Sequence, residues 1–390
     1  MQQQSSFARL DVENLRASKI REVANAGMAR QDVVAFWFGE PDEVTPEFIR
    51  QAGMVAIAAG ETFYTHNLGI QELRENIAAY VSRLHRRTGA EQIAVTNSGM
   101  SALRLATQAL VGPGDHVVVV TPVWPNLVEI PKILGGRVTT VALQFTDQGW
   151  RLDVDHLLHA LVPGTRAVYI NSPNNPTGWT IRREDQQAVL QHCRRHGIWI
   201  LSDDAYERLC YETSPAGSAA PSFLSLADRE ERVLSTNTFS KSWLMTGWRL
   251  GWIVAPPALT PALAKLIEYN TSCAPGFVQR AGIAAIEQGE PVIARTVARF
   301  REARDALVRD LRDIPDIEIA PPEGAMYAFF RLHGVRDSLA LCKRLVAEVG
   351  LGLAPGIAFG PEGEGFIRWC FASDLSRLAE GVARLKRGLD

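Results

Sequence analysis

The 390-residue sequence has little cysteine: five residues, Cys193, Cys210, Cys273, Cys342 and Cys370, are scattered with no CxxC pair. Such a set suits neither a disulfide framework nor a structural zinc site, and it predicts free buried thiols and a reducing, cytoplasmic compartment. An excess of one charge is also missing. Lys and Arg number 41 against 43 Asp and Glu, a formal charge of −2 with no block of like sign, which argues against nucleic-acid and membrane-surface partners. The longest uncharged apolar-leaning stretch, 250–264, is interrupted by Pro256, Pro257 and Pro261 and is too short to span a bilayer. Residues 1–10 lack the basic-then-apolar pattern of a secretory signal. Internal repeats and low-complexity tracts are absent as well.

What is present is globular composition, 46% hydrophobic and 22% charged, in a chain long enough for two or three domains. From about residue 91 to 255, short apolar runs alternate with helix-like segments, the pattern of an α/β fold with a parallel sheet covered on both faces. The predicted strands are 92–96, 116–121, 137–143, 167–171, 198–202, 233–238 and 251–254. Between them, 184–196 reads as a helix with acids first, bases last and Gly197 as its stop. Beyond Pro256 a long amphipathic helix at 291–313 leads into a smaller α+β segment with strands at 317–320, 327–331 and 366–371 and helices at 338–349 and 375–387.

The chemistry-bearing residues sit where strands end. Around Lys241, the run from Thr238 to Trp252 offers Ser240, Ser242, Trp243 and Leu244 beside one lysine and places Arg249 eight residues on. A desolvated amine near another cation has a lowered pKa and attacks carbonyls, and a guanidinium with neighbouring hydroxyls clamps a phosphate. Asn97-Ser98-Gly99-Met100-Ser101 follows a strand and opens a helix, an arrangement that exposes backbone N–H groups to an anion. Asn175 lies in the rigid Asn171–Gly178 turn, Asp203 and Tyr206 follow an apolar run, and Trp124 adds an aromatic plane at another strand end.

Together these segments resemble the class I/II aminotransferase family of pyridoxal-phosphate enzymes, fold type I, in the family's order and spacing from Gly39-Glu-Pro-Asp42 to Arg368. The resemblance implies a large domain with a mostly parallel seven-stranded sheet, at 46–288, a smaller α+β domain at 289–390, and an arm at 1–45 that completes the small domain. It implies that Lys241 forms the imine with pyridoxal 5′-phosphate and shuttles the proton, that Asp203 pairs with the pyridine nitrogen, and that Asn175 and Tyr206 bond the ring oxygen. Trp124 would stack on the ring, and Gly99, Met100, Ser101, Thr238, Ser240 and Arg249 would surround the phosphate. Tyr64 would reach the neighbouring subunit's phosphate, which implies a homodimer with shared sites. On the substrate side the resemblance assigns Arg368 to the α-carboxylate, and Gly39, Asn175 and Trp37, with Phe38, to the pocket.

The expected reaction moves an amino group from an L-amino acid to a 2-oxo acid. A β-eliminating lyase on the same fold and a silent cofactor-binding protein are the alternatives. Departures from the family pattern occur at Asp204, Trp179 and Ile357, and no second arginine for a dicarboxylic side chain is identified. No metal site is expected: His192 and His196 are spaced i, i+4 but read as a solvated helix face, and 360–365 reads as a turn.

Overall fold

A computed structural model describes residues 7–211 and 219–389. Residues 1–6, in the stretch expected to lack a signal, and the small gap within the expected large domain lie outside the described residues, as does residue 390. Seven strands make the main sheet: β1 (Ile93–Thr96), β2 (His116–Thr121), β3 (Arg137–Ala142), β4 (Thr165–Asn171), β5 (Trp199–Asp203), β6 (Val233–Thr238) and β7 (Gly251–Val254). Their spatial order is β1-β7-β6-β5-β4-β2-β3. All neighbours are parallel except β7, which runs antiparallel between β1 and β6.

The valine-rich β2 shows why these runs become central strands. Val118 and Val120 pack into one hydrophobic core and Val117 and Val119 into another on the opposite face, so all four valines are buried. β-branched side chains suit that two-sided burial. The connecting helices carry their own end signals. Helix Arg183–His196 begins with Glu184 and Asp185, ends with Arg194, Arg195 and His196, and stops at Gly197 with φ 67°. Its His192 donates from Nε2 to the Leu161 carbonyl oxygen at 3.0 Å and is half-buried, so of the two histidines only His196 is on a solvated face.

Outside the sheet, α1 (Lys19–Gly27) starts at Ser18, whose hydroxyl caps the Arg21 amide. After β1 comes α2 (Gly99–Leu110), capped by Ser98, and after β7 the 23-residue α3 (Glu290–Arg312) buries Ile293, Phe300, Leu307 and Leu311. Beyond it, β8 (Ile317–Glu318), β9 (Tyr327–Leu332), β10 (Ala354–Pro355) and β11 (Phe366–Cys370) form a second sheet, ordered β8-β9-β11-β10. The early segment Val34–Ala35 pairs in parallel with Leu351–Gly352, which ties the N-terminal region to the C-terminal one. Residues 360–365 form a turn and a short 3₁₀ segment, and all five cysteines are free and buried. Among the described residues no helix is long and apolar enough to cross a membrane, and no cluster of His, Cys, Asp or Glu could hold a metal.

The candidate active site

Parallel strands bring their C-terminal ends to one edge of the sheet, where open α/β folds gather ligands. Here Asn171 is in register with Asp203, and Asp203 with Thr236 on the adjoining strand. A cavity of about 460 Å³ opens over that edge. It is lined from the main sheet side by Gly99, Met100, Trp124, Asn175, Asp203, Tyr206, Thr238, Ser240, Lys241 and Arg249, and from the opposite side by Trp37, Phe38, Gly39 and Arg368.

Two charged groups define its centre. The Asp203 carboxylate is buried, and its one described side-chain bond is from the Ala205 amide at 3.3 Å. Burial pushes its pKa up to about 7, with the nearby Asp204 carboxylate adding to the shift. Lys241 donates from Nζ to the Gly39 carbonyl oxygen at 2.6 Å, and burial lowers its pKa to about 8. Neither group has an ion-pair partner among the described residues. The neighbouring acid Asp204 is instead satisfied by the hydroxyls of Ser202, Ser222 and Ser235 at 2.6, 3.1 and 2.6 Å.

At one end of the cavity, α2 points its first amides inward. Ser98 sits at φ 125°, a strained conformation for a residue with a side chain, and its hydroxyl accepts from the Ser101 amide at 3.0 Å. Gly99 is tight against β6: a Cβ there would come within 2.8 Å of Thr238 Cβ. Thr238 donates its hydroxyl to Ser240 at 2.9 Å, and Arg249 stands close by at φ 55° with one nitrogen on the Thr246 carbonyl oxygen. Ser101 is not among the residues lining the cavity, and its hydroxyl donates to the Asn97 carbonyl oxygen at 3.2 Å.

At the other end Arg368, on β11, is buried. It donates to Asn175 Oδ1 at 2.9 Å and to the Trp37 carbonyl oxygen, and its guanidinium lies over the Tyr327 ring, 4.5 Å from the centroid. Its Nε is buried without a partner. Tyr206 and Tyr327 share a hydroxyl–hydroxyl bond of 2.7 Å with their rings edge to face. Burial raises the pKa of both, so both phenols are protonated at neutral pH. Gly39 makes the tight corner beside them, where a Cβ would collide with the Tyr327 hydroxyl.

Tyr64 is 89% exposed and does not line the cavity. Trp179 is buried in the core and Ile357 does not line the cavity, so these two departures from the family pattern leave the site intact. Sequence reasoning missed Tyr327, Asn237 and the α1 residues Ser18, Ile20 and Arg21, all of which line the cavity. Tyr327 looked like one more core aromatic of an apolar strand, and the α1 residues like an ordinary helix start. A polar-tipped ring among Ala and Phe was the available signal for Tyr327.

A model of the family described as aminotransferase class I and II matches residues 31–385. The aspartate aminotransferase of Thermotoga maritima is 34% identical over 358 residues, 91% of each chain, and the arginine–pyruvate transaminase of Pseudomonas aeruginosa is 31% identical over 91% of this chain and 89% of its own. The crystal structure of the Thermotoga maritima aspartate aminotransferase superposes with a TM-score of 0.90 at 32% identity, covering 98% of this chain and all of that one. With a family match across nearly the whole sequence, relatives of full length and a shared fold, this chain belongs to the aminotransferase class I and II family and is a transaminase.

Proposed function

We propose that the cavity binds pyridoxal 5′-phosphate and uses it to transfer the amino group of an L-amino acid to a 2-oxo acid. The observation that carries this reading is the placement of two buried groups in one cavity without an ion pair for either among the described residues, an acid pushed up to about 7 by burial and an amine lowered to about 8. A phosphorylated pyridine aldehyde fits both: its ring nitrogen meets the carboxylate and its carbonyl carbon meets the amine. The partnerless Arg368 Nε and the inward amides of α2 fit a carboxylate and a phosphate in the same way.

When bound, this cofactor supplies an electron-withdrawing ring and a carbonyl carbon that takes amines. Asp203 would hold a proton on the ring nitrogen, and its burial would strengthen that pairing. Tyr206 and Asn175 offer hydrogen bonds to the ring oxygen, and Trp124 provides a flat face. The amides of Gly99 and Met100, the hydroxyls of Thr238 and Ser240 and the Arg249 guanidinium bind the phosphate. Arg368 grips the substrate α-carboxylate with a planar fork, with Gly39, Asn175 and Trp37 beside it. Lys241, its pKa lowered to about 8 by burial, would be the amine that takes the carbonyl carbon and the general base that moves a proton at Nζ.

The same reading includes a cytoplasmic homodimer and the division into an arm at 1–45, a large domain at 46–288 and a small domain at 289–390. Support for the dimer comes from exposed apolar residues in and after helix Glu47–Ala58: Met54, Val55, Ile57, Phe63 and Tyr64. Tyr64 would serve the partner's phosphate. The test is an absorption spectrum of the purified protein with pyridoxal phosphate, followed by a panel of L-amino acids and then a 2-oxo acid. Bleaching by an amino acid and recovery with the oxo acid supports transamination; bleaching with release of pyruvate and ammonia points to a lyase, and no change to a silent binder.

A further inference from the structure

The cavity carries more positive charge than this reading uses. Lys241 is committed to the reacting carbon, Arg249 to the phosphate and Arg368 to the α-carboxylate, with Asp203 as the acid among the lining residues. A fourth cation lines the same cavity: Arg21, in the first turn of α1. Its guanidinium carbon lies 4.5 Å from the centroid of the Phe38 ring, which is itself part of the cavity wall. Stacking of this kind holds the plane of the fork while leaving its N–H donors available.

Those donors are not engaged elsewhere. Among the described residues the Arg21 side chain has no ion pair and no hydrogen bond, and only its backbone amide is used, by Ser18. The adjacent acid, Glu22, is held by Lys19 at 2.9 Å and Lys343 at 2.5 Å. Arg368 and Arg249, by contrast, already spend donors on protein oxygens. A free arginine on open surface is ordinary. This one is seated on an aromatic ring at the solvent-facing side of a cavity whose other cations each have an assigned anion.

Resting on the transaminase reading, we infer that Arg21 binds the distal carboxylate of the substrate side chain, so that the amino donor is a dicarboxylic amino acid. Trp37 and Phe38 provide the apolar wall along which the intervening methylenes lie, and the exposed position of Arg21 suits an anionic group that keeps part of its water shell. Arg21 is thus a specificity residue and takes no part in the proton transfer.

The test uses charged and neutral isosteres on the holoenzyme: aspartate against asparagine and glutamate against glutamine, as kcat/KM for wild type and for Arg21→Gln. The expected result is a preference for the better acid over its amide of about tenfold or more, which Arg21→Gln reduces by about tenfold through a higher KM for the acid. Calorimetric titration of the holoenzyme with succinate, glutarate and butyrate gives a second readout, in which the dicarboxylates lose their advantage over butyrate in Arg21→Gln. Turnover blind to side-chain charge, or a preference that survives Arg21→Gln unchanged in both measurements, overturns the inference while leaving the transaminase intact. Failure of every amino acid to bleach the cofactor overturns the transaminase reading, and this inference with it.

Discussion

Replacing Asp203 with Asn has opposite expected effects on the cofactor-free protein and on catalysis. In the folded chain the Asp203 pKa stands at about 7, against 3.8 as its ordinary value. A carboxylate whose pKa is raised by folding contributes its stability below the unfolded pKa and loses it as pH rises through the folded one. The shift of about three units, at about 1.4 kcal/mol each, makes folding around this carboxyl cost about 4 kcal/mol at pH 8, where it is ionised, and about 2 kcal/mol at pH 5, where the fold holds it protonated. Asn removes that cost and keeps an oxygen for the Ala205 amide. Urea denaturation of the cofactor-free protein, at fixed concentration, is therefore expected to show Asp203→Asn more stable than wild type, with the gap widening by about 2 kcal/mol from pH 5 to pH 8. If Asp203 holds the ring proton as proposed, the order is expected to reverse for turnover of the cofactor-loaded protein. An Asn variant that is less stable than wild type at pH 8, or a gap that ignores pH, refutes the claim that burial strains this carboxylate.

Lys241→Ala is expected to keep pyridoxal phosphate through the phosphate contacts yet to lose roughly 10²–10⁴-fold or more in turnover, measured by half-reaction rates. In Arg368→Lys, a point charge replaces the fork that spans Asn175 and the Trp37 carbonyl. Its KM for the amino acid should rise about tenfold or more with a smaller change in kcat, and an unchanged KM would remove Arg368 from the carboxylate site. In Gly39→Ala, the added methyl meets the Tyr327 hydroxyl, so thermal unfolding should show a loss of about 1–3 kcal/mol, and a variant as stable and active as wild type would mean that this corner is slack.

The strands of the main sheet were legible because two-sided burial writes itself as unbroken apolar runs, as in His116–Thr121 and Val233–Thr238. Direction was not legible. The residues of β7 are as fully buried as those of the two strands beside it, so nothing in Gly251–Val254 announced that it runs the other way. The hairpin of Gln144–Thr146 with Gly149–Arg151 was missed because each strand has only three residues, too few to display alternation. At the site, residues on strand ends could be found from local motifs. Arg21 could not, and Tyr327 carried only the weak signal of its hydroxyl, since each becomes meaningful through a partner far away in sequence: the Phe38 ring and the cavity for one, Tyr206 for the other.

The bonds that close the cavity are all of this distant kind. Lys241 reaches Gly39, Arg368 reaches Asn175 and Trp37, and Tyr206 reaches Tyr327, so the first and second sheets and the N-terminal segment are joined across the cavity by these few polar contacts. A slight loosening of the smaller sheet against the larger would part these contacts before any strand had melted. Mild heat or denaturant should accordingly silence the enzyme while its far-ultraviolet circular dichroism still looks native, and amide exchange should quicken first along Tyr327–Leu332 and Phe366–Cys370 rather than in the valine strands.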